Sequence, residues 1–120
     1  MILYLAGLLL LPGWLVTAAH DVSNPNLEFG KQVYLERCKV CHGMQGDGKS
    51  FAANVLNPPP KNFTSAQSKK QLTLKRMIES ATNGRPGTAM MPWKDILSEE
   101  EIRAVVHYIR KELMGVEQGN

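Results

Sequence analysis

The run Cys38-Lys39-Val40-Cys41-His42 constrains this chain more than any other feature of its 120 residues. Two cysteines three positions apart, followed at once by histidine, have the spacing of a covalent attachment site for a c-type haem. On a helical turn, positions i and i+3 share one side of the backbone. Both thiols can therefore add to the two vinyl groups along one edge of a porphyrin. His42 is then carried over the iron, where its imidazole supplies the proximal ligand. The competing readings are half of a zinc site, a disulfide-exchange pair and a structural disulfide. Zinc takes four ligands, but there are only two cysteines and no His-x₃₋₅-His partner. A redox CxxC belongs beside a βαβ pattern, which this sequence lacks.

With a haem as an apolar centrepiece, roughly 100 residues close a core that would otherwise be marginal. The motif uses both cysteines, so no disulfide framework remains. The formal net charge is +3, none of it within the first 19 residues. No Lys/Arg stripe with interleaved aromatics is present, which sets nucleic acid aside as a partner. The basic excess reads as a solvated Lys-rich surface, with a basic face for acidic partners as the alternative.

Residues 1–19 form an uncharged apolar run. Residues 2–11 suit the apolar region of a signal peptide, Pro12-Gly13 breaks it, and Thr17-Ala18-Ala19 offers small residues for cleavage. The run lacks the usual Lys or Arg at its start. An uncleaved membrane anchor is the rival, since about 19 helical residues approach the bilayer core thickness. Pro12-Gly13 at its middle argues against a clean span. Either way the following domain is exported to the periplasm, where an uncleaved anchor would keep it near the membrane.

Residues 20–26 are polar and turn-rich, a linker. A short helix over 27–37, carrying Leu27, Gly30, Val33 and Tyr34, delivers the chain to the cysteines. The glycine-punctuated loop at 43–49 lacks the spacing and preceding strand of a phosphate cradle. Asn57-Pro58-Pro59-Pro60 forces extended backbone, because proline fixes φ and restricts its predecessor. Leu74, Met77, Ile78 and Ala81 give one apolar face to a helix over 73–83. A loop with Pro86, Gly87 and Pro92 follows. The last helix opens with a capping box at Ser98-Glu99-Glu100-Glu101 and buries Ile102, Val105, Val106, Ile109 and Leu113. Period-2 alternation is missing, so the expected fold is all-α, with one domain at 27–114 and a tail at 115–120. Met44 and Met77 read as core filler. His20 and His107 read as surface or boundary histidines.

On these residues the chain resembles the class I, monohaem, bacterial-type cytochrome c family over nearly all of residues 27–113. Gly30 and Tyr34 lie eight and four residues before Cys38, like the family's small/aromatic pair on the first helix. Val105 and Tyr108 match positions on the last helix that cross it. Cys41-His42-Gly43 runs into a Gly-Asp-Gly loop, and Gly87-Thr88-Ala89-Met90-Met91-Pro92-Trp93 looks like the loop that delivers a distal methionine. The resemblance implies a small cytochrome c fold, three to four helices wrapped around one covalent haem c with an exposed edge. It implies Met90 as sixth ligand, since Gly87 stands three before it and Trp93 three after. Met91, directly before Pro92, is the alternative. A carbonyl of Pro58 or Pro59 is the family-like acceptor for the Nδ1–H of His42, which would fix its tautomer. Trp93, Arg85 and Asn83 are candidate partners of the propionates.

A thioether ligand is soft and neutral, so it favours Fe(II). A six-coordinate iron has no open position for substrate. The expected role is thus a monomeric exported carrier of single electrons between respiratory dehydrogenases and terminal reductases or oxidases, not an enzyme. Its partners are redox proteins. A haem-bearing subunit of a larger oxidoreductase is the alternative. An open-site haem enzyme or gas sensor stands behind both, because no distal His or Arg arrangement is readable near the ligand loop.

Overall fold

The first helical run reaches the haem motif without a break. In the computed structural model, which describes residues 27–117, α1 (Leu27–Val33) passes into a π-helical stretch, Tyr34–Cys38, and then into α2 (Lys39–His42). The leader or anchor at 1–19, the linker at 20–26 and His20 lie outside the described residues. The sequence ends this helix near residue 37, whereas the chain stays helical through His42. The Lys39 N–H reaches back five residues to the Tyr34 carbonyl. That turn is one residue wider than an α-turn, and isolated π-turns recur at functional sites.

Beyond the glycine loop come a 3₁₀ turn (Ala52–Val55), α3 (Ala66–Gln71), α4 (Leu74–Asn83) and α5 (Glu99–Tyr108). A second π-helical stretch, Ile109–Met114, closes the series. Three helices start on a hydroxyl that accepts an otherwise unpaired N–H. Ser65 caps α3, Thr73 caps α4, and Ser98 caps α5. At α5 the box is complete: the Ser98 N–H donates to Glu101 Oε2 at 2.7 Å, and the Glu101 N–H to Ser98 Oγ at 3.2 Å. Helix α3 has no counterpart in the sequence reading, because Ala66–Gln71 carries no apolar period. The described residues contain no strand, so the fold is all-α.

The core forms where α1 crosses α5 and where α4 packs on α5. Val33 and Tyr34 meet Ile102, Val105, Val106 and Ile109, with Met77 joining from α4. Gly30 makes the crossing possible. A Cβ there would stand 2.7 Å from the Ala104 carbonyl carbon and 2.9 Å from Tyr108 Cβ. The sequence names Val105 or Tyr108 at this crossing, and the contacts are Ala104 and Tyr108. Next to it the Tyr34 and Tyr108 rings lie 5.6 Å apart, tilted by 49°.

Two expectations about apolar side chains change. Met44, read as core filler, is 62% exposed on the glycine loop. The buried stripe of the last helix ends in Met114 rather than Leu113, which is only half-buried. The second π stretch explains this. An α-helix aligns Ile109 with the residue four on, Leu113, but a wider turn aligns it with the residue five on, Met114.

Candidate haem-attachment site

Cys38 closes the first π stretch, and Cys41 and His42 follow on α2, so all three occupy one continuous helical segment. Both cysteines are free thiols and half-buried. Burial, with Cys41 as a lesser cause, pushes the Cys38 thiol up to about 12. Among the described residues no group of three or more His, Cys, Asp or Glu side chains could hold a metal ion.

His42 is fixed from two sides. Its Nδ1 lies 3.1 Å from the Lys61 carbonyl oxygen. A carbonyl only accepts, so Nδ1 carries the proton and Nε2 keeps its lone pair. The Phe63 ring stacks on the imidazole, with centroids 4.5 Å apart and planes 17° from parallel. Desolvation lowers the His42 pKa, and the Lys61 bond partly opposes it. Desolvation therefore favours the neutral ring, the form in which imidazole binds a metal. Two thiols at i and i+3 beside an imidazole with a bare Nε2 fit a c-type haem.

The carbonyl that orients His42 is a correction. The sequence reading offers Pro58 or Pro59, and Lys61, just after the proline run, supplies it. Further bonds hold the motif from behind. The Tyr34 hydroxyl donates to the Gly43 carbonyl at 2.6 Å, the Gly48 N–H to the His42 carbonyl at 2.8 Å, and Ser50 Oγ to the Cys41 carbonyl at 2.9 Å. Neither Phe63 nor Ser50 is singled out by the sequence, since a lone aromatic or serine has no periodic signal.

Met90 stands on a separate loop that α4 positions. The loop closes on itself: the Arg85 N–H donates to the Met90 carbonyl at 2.9 Å, and Thr88 Oγ1 accepts the Met90 N–H at 3.1 Å. The Trp93 N–H donates to the Ala81 carbonyl on α4 at 2.9 Å. Gly84 makes the turn, at φ +69°, where a Cβ would lie 2.7 Å from the Met90 carbonyl oxygen and from the Pro92 nitrogen. Met90 is half-buried and Met91 is 44% exposed. Of the candidate propionate partners, Trp93 is half-buried while Arg85 and Asn83 are exposed.

Comparison with known families decides the wider identity, because the family model for cytochrome c matches residues 27–112. The chain belongs to the cytochrome c family. The cofactor of that family is covalently bound haem c. It is 35% identical over 99 residues to a nitrite reductase of Stutzerimonas stutzeri, covering 78% of this chain and 17% of that protein. It is 33% identical to the chloroplastic cytochrome c6 of Chlamydomonas reinhardtii, covering 82% of this chain and 62% of that one. Cytochrome c55X of Stutzerimonas stutzeri is 30% identical, with 87% of this chain and 80% of the relative covered. The first two relatives are thus matched over less than two thirds of their length. Cytochrome c6 from the diatom Phaeodactylum tricornutum superposes with a TM-score of 0.54 at 26% identity, over 70% of this chain and 90% of that one.

Proposed function

We propose that the protein is an exported, diffusible carrier of single electrons, holding one haem c through Cys38, Cys41 and His42, with Met90 as sixth ligand. The observation that carries this reading is the state of His42. Its Nδ1–H is held by Lys61 and its face by Phe63, leaving Nε2 free on the same helical segment as both thiols. Haem c supplies the redox centre, one electron per iron. Of the chain's own residues, Cys38 and Cys41 would anchor it, His42 would offer Nε2 to the iron, and Met90 would offer a neutral thioether. Half-burial and the closed Arg85–Met90 turn favour Met90 over the more exposed Met91. Donors and acceptors of the kind expected are respiratory dehydrogenases and terminal reductases or oxidases. Export to the periplasm and removal of residues 1–19 are part of the proposal, supported by the Thr17-Ala18-Ala19 run after an apolar stretch.

One observation supports a second reading, a haem-bearing subunit of a larger oxidoreductase. The chain matches only 17% of the nitrite reductase, so related domains occur inside long proteins. The match to 80% of cytochrome c55X supports the free carrier.

A single measurement tests the proposal. The denatured mass of protein made in a cell competent for cytochrome c maturation should equal residues 20–120 plus one haem. An apo mass overturns the haem assignment. A haem-bearing mass that retains residue 1 or 2 replaces the cleaved leader with the anchor.

A further inference from the structure

The segment just after the proline run meets His42 twice. The Lys61 carbonyl takes the Nδ1–H at 3.1 Å, and the Phe63 ring covers one face of the imidazole, its plane 17° from parallel. Asn62 fixes the turn between them: its Oδ1 accepts the Thr64 N–H at 2.9 Å and the Thr64 hydroxyl at 2.6 Å. Phe63 is only 6% exposed, and its N–H donates to the Gly46 carbonyl at 2.7 Å. Its Cδ2 lies 3.2 Å from the point where a Cβ on Gly46 would stand, and Leu113 Cδ1 lies 2.9 Å from that same point. The ring is thus packed among the glycine loop, the last helical stretch and His42. A side chain held this closely keeps its rotamer.

The two contacts constrain different things. A single hydrogen bond at Nδ1 holds one edge of the imidazole and leaves the ring able to rock about it. The stacked ring fixes the plane. Any apolar side chain of this volume would fill the space, but only a planar one lies parallel to the imidazole. The stack also has an electronic consequence. An aromatic face carries the negative end of the ring quadrupole, so it favours whichever state leaves the facing group more positive. An imidazole donating from Nε2 gives up more electron density to Fe(III) than to Fe(II). The Phe63 face therefore favours the oxidised state, opposite in sign to a thioether ligand.

We infer that Phe63 is a positioning residue for electron transfer: its ring fixes the plane of His42 and, through the imidazole, holds the midpoint potential below the value that an aliphatic side chain would give. The inference rests on the reading above that His42 offers Nε2 to the iron of haem c. The sign of the effect separates it from a mere seal against solvent. Water admitted to a loosened site favours the more highly charged oxidised state, so loss of a seal lowers the potential. Loss of the aromatic face raises it.

The test compares the haem-loaded wild type with Phe63→Leu, with Phe63→Tyr, and with protein in which the Phe63 ring alone is pentafluorinated. Fluorination keeps the shape of the ring and inverts its quadrupole. Redox titration reads the midpoint potential, and electron paramagnetic resonance of the oxidised protein reads the imidazole orientation through its g-values. At a fixed solution potential, Phe63→Leu should raise the ratio of reduced to oxidised protein about threefold, the size expected of a weak cation–π contact. For a one-electron couple that is a rise of about 30 mV, at roughly 59 mV per tenfold. The pentafluorinated ring should raise the potential further, and Phe63→Tyr should keep it near the wild-type value. The g-values should change in Phe63→Leu and stay as in the wild type with either planar ring. An unchanged or lowered potential in Phe63→Leu overturns the proposal, and so do wild-type g-values in that variant. A pentafluorinated protein with the wild-type potential also overturns it, and decides alone if Phe63→Leu takes up no haem. A wild type without covalent haem, or a His42→Ala variant with the wild-type spectrum, fails the ligand assignment itself, a result distinct from all of these.

Discussion

At the scale of single residues, the site depends on which atoms are left free. Lys61 and Phe63 immobilise His42 and leave Nε2, while the loop after α4 half-buries Met90 and exposes Met91. Met90→Ala should therefore remove the weak far-red sulfur-to-iron absorption of the oxidised protein. It should also lower the midpoint potential by a fraction of the roughly 0.8 V that axial ligands control. Met91→Ala should leave both nearly unchanged, and the reverse result makes Met91 the ligand. Tyr34 supplies a pH test. Burial, then the nearby Cys38, Tyr108 and Asp47, raise its pKa above the ordinary value of 10.0. The folded chain holds this proton longer than the unfolded one, so the stabilisation is full below about pH 10 and is lost as pH climbs beyond it. Tyr34→Phe should cost about 1 kcal/mol at pH 7 through loss of the bond to Gly43. Its stability should also fall less steeply than the wild type's above about pH 10. Denaturant titrations at neutral and alkaline pH measure both, and parallel alkaline slopes would exclude Tyr34 as the source. The proposed set of Cys38, Cys41 and His42 comes from the sequence because their chemistry is in their side chains. The Lys61 carbonyl is not, since every residue has one.

At the scale of elements, the fold turns on the crossing of α1 and α5. The atoms nearest to a Cβ at Gly30 belong largely to the Ala104 backbone, which cannot swing aside as a flexible side chain would. Gly30→Val should destabilise the protein by roughly 1–3 kcal/mol through overpacking. For a domain of this size each kcal/mol lowers Tm by about 4–8 °C. Thermal unfolding of the haem-loaded variant checks this, and an unchanged Tm means the helices part at little cost. The capping box and apolar stripe of α5 and the apolar face of α4 are readable from spacing alone, because helical period and N-terminal chemistry are local. The two π stretches are not, because a five-residue hydrogen bond forms only where packing widens the turn.

At the scale of the whole molecule, Arg110 joins parts of the chain that sequence analysis leaves separate. It is 2% exposed, and among the described residues no carboxylate is hydrogen-bonded to it. One terminal nitrogen donates to the Leu72 carbonyl at 2.7 Å, between α3 and α4, and the other to the Glu117 carbonyl at 2.9 Å. Nε finds no partner among the described residues. Burial lowers the Arg110 pKa, yet a guanidinium stays charged at any ordinary pH. Arg110→Met keeps much of the buried stem but strands the Leu72 carbonyl, at about 1–3 kcal/mol. It should also speed amide exchange at Val116, whose N–H donates to the Arg110 carbonyl at 3.0 Å. Unaltered exchange there would show that the tail is held by Val116 packing alone.

The sequence by itself determined the haem-attachment motif, the all-α class, the capped last helix and the glycine at the crossing. Each is written in residue identity and short-range spacing, which survive without knowledge of the fold. Tertiary structure alone decided the Lys61 acceptor, the Phe63 stack, the burial of Arg110 and Met114, and the exposure of Met44 and Phe51. Those depend on which distant segments meet, and on two widened turns that shift the helical faces by one residue. An apolar side chain has the same identity in a core or on the surface, and only its neighbours distinguish the two.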